Sequence, residues 1–123
     1  MENKKIKSFT DLITWQEAHK LVIIIYKLTK NFPNEELFGL IGQMRRAVVS
    51  VSSNIAEGFS RGTYKEKIRF YRIAQASLTE LQNQLLISRD MKYLDKNRFN
   101  KVADQTVTVI KLINGLIRSS KTQ

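Results

Sequence analysis

The side chains best equipped for chemistry are few. The chain carries one histidine, His19, and no cysteine. Those two facts exclude a disulfide framework, a thiolate zinc site, a cysteine nucleophile and any site built on two histidines. No serine or acid stands in a recognisable relation to His19, and there is no glycine-rich phosphate loop, GxSxG elbow or HExxH motif. A dinuclear carboxylate site in a helix bundle needs a Glu-x-x-His pairing twice, which a single histidine cannot supply. His19, between Ala18 and Lys20, therefore reads as a surface or boundary residue. The expectation is a non-enzyme with no catalytic residue, no cofactor and no metal.

What the chain has in excess is positive charge: 21 Lys and Arg against 11 Asp and Glu, a net +10. Such an excess suits a polyanion, nucleic acid before anionic membrane. Lys65, Arg69 and Arg72 fall at helical steps of 4 and 3, with Arg61 just before them and no acid on that line. A row of cations on one helix face matches a phosphate backbone, and each neutralised phosphate releases a counterion. The plain alternative is a solvated face that happens to be basic. Lys4, Lys5 and Lys7 would add a basic arm to the same task.

A second polar stripe, Arg46, Ser50, Asn54, Glu57 and Arg61, recurs at steps of 4, 4, 3 and 4. Solvated helix faces are usually rich in Lys and Glu. Ser50, Ser52, Ser53 and Asn54 are instead short residues with poor helix propensity. Short polar residues in mid-helix suit a close helix approach or an internal hydrogen-bond network. Arg46, Ser50, Asn54 and Glu57 are accordingly expected to be structural, with direct ligand contact as the alternative.

The elements that position these stripes follow from periodicity. A chain of 123 residues with only five glycines and one proline is one helix-rich domain. A first helix is expected from about residue 11 to 31, with Trp15, Ala18, Val22, Ile25 and Thr29 on one face. Phe32-Pro33 ends it, and Asn34 should cap a second helix with the stripe Leu37, Ile41, Met44, Val48, Val51, Ile55 and Phe59. Gly58 and Gly62 bracket its end in the manner of a C-terminal glycine stop. Thr63 with Glu66 forms a capping-box pattern for a third helix, whose core stripe is Tyr71, Ala74, Leu78, Leu81 and Leu85. Asp95 caps a fourth, with Phe99, Val102, Thr106, Val109, Ile113 and Leu116 inward.

Short links force antiparallel neighbours. The expected fold is thus all-α, an antiparallel up-down-up-down four-helix bundle. Residues 1–10 read as a basic N-terminal arm, 11–118 as the bundle and 119–123 as a frayed polar tail. The run Leu21 to Tyr26 is apolar on every side of its helix, more than one small core can hide. A subunit interface at Ile23, Ile24 and Val49 would absorb the surplus. The same run is far shorter than the roughly 20 residues that span a bilayer, so no membrane role is expected. The N-terminus has no apolar core or cleavage site of a signal peptide, which points to the cytoplasm.

The segment from Gln43 to Gly58, with Arg45-Arg46-Ala47 and Asn54-Ile55-Ala56-Glu57-Gly58 followed by Arg61, closely resembles a family signature. It is that of the four-helix bundle proteins encoded in intervening sequences of bacterial 23S ribosomal RNA genes, also called the S23 ribosomal protein family. The resemblance extends upstream through Leu12, Trp15, Ala18, Leu21, Tyr26, Thr29, Phe32-Pro33, Glu36 and Leu37. Downstream it includes Phe70, Ala74, Ser77-Leu78, Glu80-Leu81 and Leu85. It covers about residues 9 to 117, with Ala76 standing where the family usually has glycine. The resemblance implies an up-and-down bundle that assembles as a homopentamer, usually without enzymatic activity. A relative in diversity-generating retroelements is an accessory subunit that binds nucleic acid and a reverse transcriptase. By that analogy the expected partners are RNA or DNA without sequence preference, further copies of the chain, and a protein partner. A protein-interaction scaffold without nucleic acid is the competing expectation.

Overall fold

Four helices follow the apolar stripes in the computed structural model, which describes residues 5–121. They are α1 Ile13–Thr29, α2 Gly42–Ser60, α3 Tyr64–Asp90 and α4 Lys96–Lys121, and no strand occurs among the described residues. α1 packs on α2, α2 on α3, α3 on α4, and α4 returns to α1. The links are too short for any but antiparallel neighbours, so the expected bundle is the one found. Its axis is filled by side chains one helical turn apart: Leu21 and Ile25, Val48 and Val51, Leu78 and Leu81, Val109 and Ile113 are all fully buried. Burying each such side chain contributes about 1.5–3 kcal/mol, which is what holds four otherwise marginal helices together.

Side-chain caps set several helix starts. The Thr63 hydroxyl accepts from the Glu66 amide at 3.2 Å, and the Asp95 carboxylate accepts from the Arg98 amide at 2.8 Å. α1 is preceded by a 3-10 turn, Phe9–Asp11, which straddles the boundary expected between arm and bundle. There Ser8 accepts from Thr10, while Asp11 accepts from the amides of Lys7 and Ser8. At the other terminus α4 runs to Lys121, past the start of the polar tail, with Ser120 buried.

Two local expectations are corrected. The second helix does not run unbroken from Asn34: a 3-10 turn, Asn34–Glu36, leads into a π turn, Leu37–Ile41, and regular α-helix begins only at Gly42. The break lies at Gly39 (φ −104°, ψ −113°), where the Glu36 carboxylate accepts from the Leu40 amide at 3.3 Å. The other Glu36 oxygen accepts from the Tyr93 hydroxyl at 2.9 Å, which clamps the α1–α2 link to the α3–α4 link. That donated bond also pushes the Tyr93 hydroxyl pKa above its ordinary value. One consequence of the break is that Leu37, placed by periodicity in the core, is half exposed, and Phe38 is 94% exposed.

The second correction concerns Gly58. It is not a helix stop, for α2 continues to Ser60 and no glycine among the described residues has a positive φ. Gly58 is buried against α3. A Cβ built there would lie 2.6 and 2.8 Å from two carbons of the Tyr71 ring and 3.2 Å from the Lys67 carbonyl. Only glycine lets the two backbones come this close.

Candidate nucleic-acid interface

The turn from α2 to α3 gathers the basic residues. α2 ends with carbonyls that no further helical turn satisfies, at the negative end of its dipole. The Lys67 ammonium answers them, donating to the Phe59 carbonyl at 2.6 Å and to that of Gly58 at 3.4 Å. Lys67 is thereby committed to structure. Arg61, in extended conformation just past the helix, lays its guanidinium 4.5 Å above the Phe70 ring and pairs with Glu57 at 2.9 Å. Arg69 places a second guanidinium 5.4 Å from the same ring.

Arg69 also meets Glu66 at 3.5 Å, so the line expected to be free of acids has a carboxylate three residues away, within reach across one helical turn. All four of these charged groups are exposed. Exposed pairs are worth about 0–1 kcal/mol, weak enough to leave the guanidinium edges open to a phosphate. Lys65 and Arg72 stand exposed with no ion pair among the described residues. Phe9 lies in a shallow groove with Ser53, Ala56, Glu57 and Ser60, which brings exposed Lys5 and Lys7 to the same end of the bundle. Lys4 falls outside the described residues.

The second stripe divides by partner. The Ser50 and Ser77 hydroxyls meet at 2.8 Å across α2 and α3, and the Asn54 amide donates to the Ser50 carbonyl at 2.8 Å and hydroxyl at 3.1 Å. Both residues are half-buried. Glu57, paired with Arg61, and Arg46, with its guanidinium beside Gly42, sit on the surface. On the α1–α2 side, Arg45 donates to the Thr29 hydroxyl at 3.0 Å and lies 4.7 Å over the Tyr26 ring. Ile23 is 43% and Val49 39% exposed, whereas Ile24 is half-buried against the core. His19 stands on the surface with its ring stacked on Trp15 at 4.8 Å, and Phe9 meets Trp15 edge-on at 5.2 Å.

Among the described residues no group of three potential ligands could hold a metal ion, and no helix is long and apolar enough to cross a membrane.

Comparison with known proteins is decisive at one point. Residues 10–115 match the family model of the 23S rRNA-intervening sequence proteins. The chain belongs to that family. A crystal structure of a protein of unknown function from the S23 ribosomal protein family of Bacteroides thetaiotaomicron has the same fold. Its TM-score is 0.80 at 20% identity, with 85% of this chain and 98% of that chain covered. No curated protein matches the sequence.

The family signature can now be read as packing. Ala47 and Ile55 fill the core, Arg45 ties α2 to α1, Asn54 braces Ser50, and Gly58 admits Tyr71. Ala76 is exposed, so the departure from glycine there touches no helix contact. What periodicity alone missed is Phe70, the ring beneath Arg61 and Arg69, together with the structural use of Lys67 and the stack on Trp15. The i to i+4 spacing of Trp15 and His19 could have revealed the last.

Replacing Asn54 with Ala removes a donor to two oxygens, a loss worth about 1 kcal/mol. The melting temperature should fall measurably with helicity retained. An unchanged melting curve would show that the Asn54 bonds contribute nothing.

Proposed function

We propose that this chain is a basic, non-enzymatic homo-oligomer that binds RNA or DNA through sequence-independent phosphate contacts, as an accessory factor. The observation that supports this most is the exposed gathering of Arg61, Lys65, Arg69 and Arg72 at the α2–α3 turn, in a chain of net charge +10. Lys5 and Lys7 extend the same basic end. Oligomerisation, pentameric by the family resemblance, would repeat this surface and turn weak contacts into avidity. In this reading the self-contact lies at the α1–α2 face, supported by the apolar surface that Ile23 and Val49 expose near Tyr26. The competing reading is a protein-interaction scaffold, favoured by the almost fully exposed Phe38 at the opposite end.

Salt separates the two. Affinity for mixed RNA or DNA should fall steeply between about 50 and 200 mM salt. Changing Lys65, Arg69 and Arg72 together to Gln should lower the log–log slope by up to about three per site, with the melting temperature nearly unchanged. Asn54→Ala should keep the full slope. Salt-insensitive binding, or a triple variant that binds like wild type, would sink the phosphate reading in favour of the scaffold.

Assembly is tested separately. Ile23→Glu should lower the mass measured by light scattering while the chain stays helical. Ile24→Glu, at a half-buried position, should also cost stability. If Ile23→Glu leaves the mass unchanged, the interface lies elsewhere.

A further inference from the structure

We infer that the nucleic acid this surface takes is single-stranded, its bases stacking on two aromatic stations that flank the phosphate-binding cations. The inference rests on the function proposed above and names the substrate class. One station is His19: its exposed ring already stacks on Trp15, with planes 16° apart, and Phe9 meets Trp15 edge-to-face. A base laid on His19 adds one more ring to that stack. The other station is Phe70, over which the Arg61 and Arg69 guanidinium carbons lie 4.5 and 5.4 Å from the ring centre. Guanidinium on an aromatic ring is a flat, cationic surface, to which an unpaired base brings its π-face and the neighbouring phosphate its charge.

The two stations belong to one track. Phe9, the edge-on ring of the first station, shares a groove with Glu57, and Glu57 pairs with Arg61 of the second. Rings therefore lie to both sides of the α2 end, on α1 and on α3, with the Glu57 carboxylate between them held by Arg61 and the cations gathered on the α3 side. Single strands need rings at intervals for the bases beside a positive path for the backbone. A duplex keeps its bases stacked inside and could use only the charges. A simpler role for the rings, covering the bundle end, accounts for Trp15 and Phe9 but not for His19, whose ring is exposed.

The sole tryptophan, Trp15, is a built-in probe because it lies directly under His19. Oligo(U) and oligo(dT) of about 12 nucleotides and a duplex of equal length would be titrated at low salt into wild type, His19→Ala, His19→Phe and Phe70→Leu. Phe70→Leu keeps an apolar side chain at the half-buried position while removing the ring. Single strands should bind wild type more tightly than the duplex and should change Trp15 emission. His19→Ala and Phe70→Leu should each weaken single-strand binding by about 5- to 100-fold; His19→Ala should leave the duplex unaffected, Phe70→Leu should weaken the duplex less than the single strand, and His19→Phe should stay close to wild type. The inference is overturned if strand and duplex bind alike and neither substitution discriminates between them, a result that leaves the phosphate-binding function standing. Absence of binding to any of the three probes overturns both.

Discussion

Gly58 and Tyr71 meet where α2 hands over to α3, and the arrangement around the candidate interface depends on how close they come. The Tyr71 ring, 2% exposed, occupies the space where any other residue at 58 would put its Cβ. Burial also pushes the Tyr71 hydroxyl pKa upward. The same tight spacing lets two short side chains, Ser50 and Ser77, touch further along the helix pair. With α2 and α3 held this near, the link from Arg61 to Thr63 has one course to follow. Arg61 then falls over Phe70 and beside Arg69, and Lys67 reaches back to the α2 carbonyls.

Charge is distributed along this frame with a division of labour. Lys67 and Arg45 are spent internally, on helix-end carbonyls and on Thr29 and Tyr26. Arg61 and Arg69 are each oriented by a carboxylate and a ring without being neutralised by burial, since both guanidinium groups face solvent. Orientation costs side-chain entropy in advance, which lowers what a ligand must overcome on binding. Lys65 and Arg72 keep their full freedom and add only field. In the proposed function, the first pair gives the surface its shape and the second its reach.

The helices and two of their caps were legible because their rules are local, whereas Asn34 caps nothing. Apolar steps of three and four residues located all four helices, and Thr63 and Asp95 cap where an acceptor must precede a helix. The α1–α2 link was not legible, since Glu36 takes the Leu40 amide and Gly39 yields to it. That competition between a side chain and the helix ladder has no periodic trace. Gly58 stood in the sequence as a plausible stop, because a glycine near a helix end looks the same whether it serves a turn or a close approach. The site was half legible: cation spacing on α3 could be counted, whereas Arg61 on Phe70 joins two elements at no fixed separation.

The most direct test of this dependence is a thermodynamic double-mutant cycle on Gly58→Ala and Tyr71→Leu, read as unfolding free energy from denaturant titration. Gly58→Ala alone should cost about 1–3 kcal/mol, as an added methyl group does in a filled core. With Tyr71→Leu in place, the methyl has room and most of that cost should disappear, giving a coupling of about 1 kcal/mol or more between the sites. Equal costs of Gly58→Ala in both backgrounds would contradict the account, for the ring would then not be what requires glycine at this position.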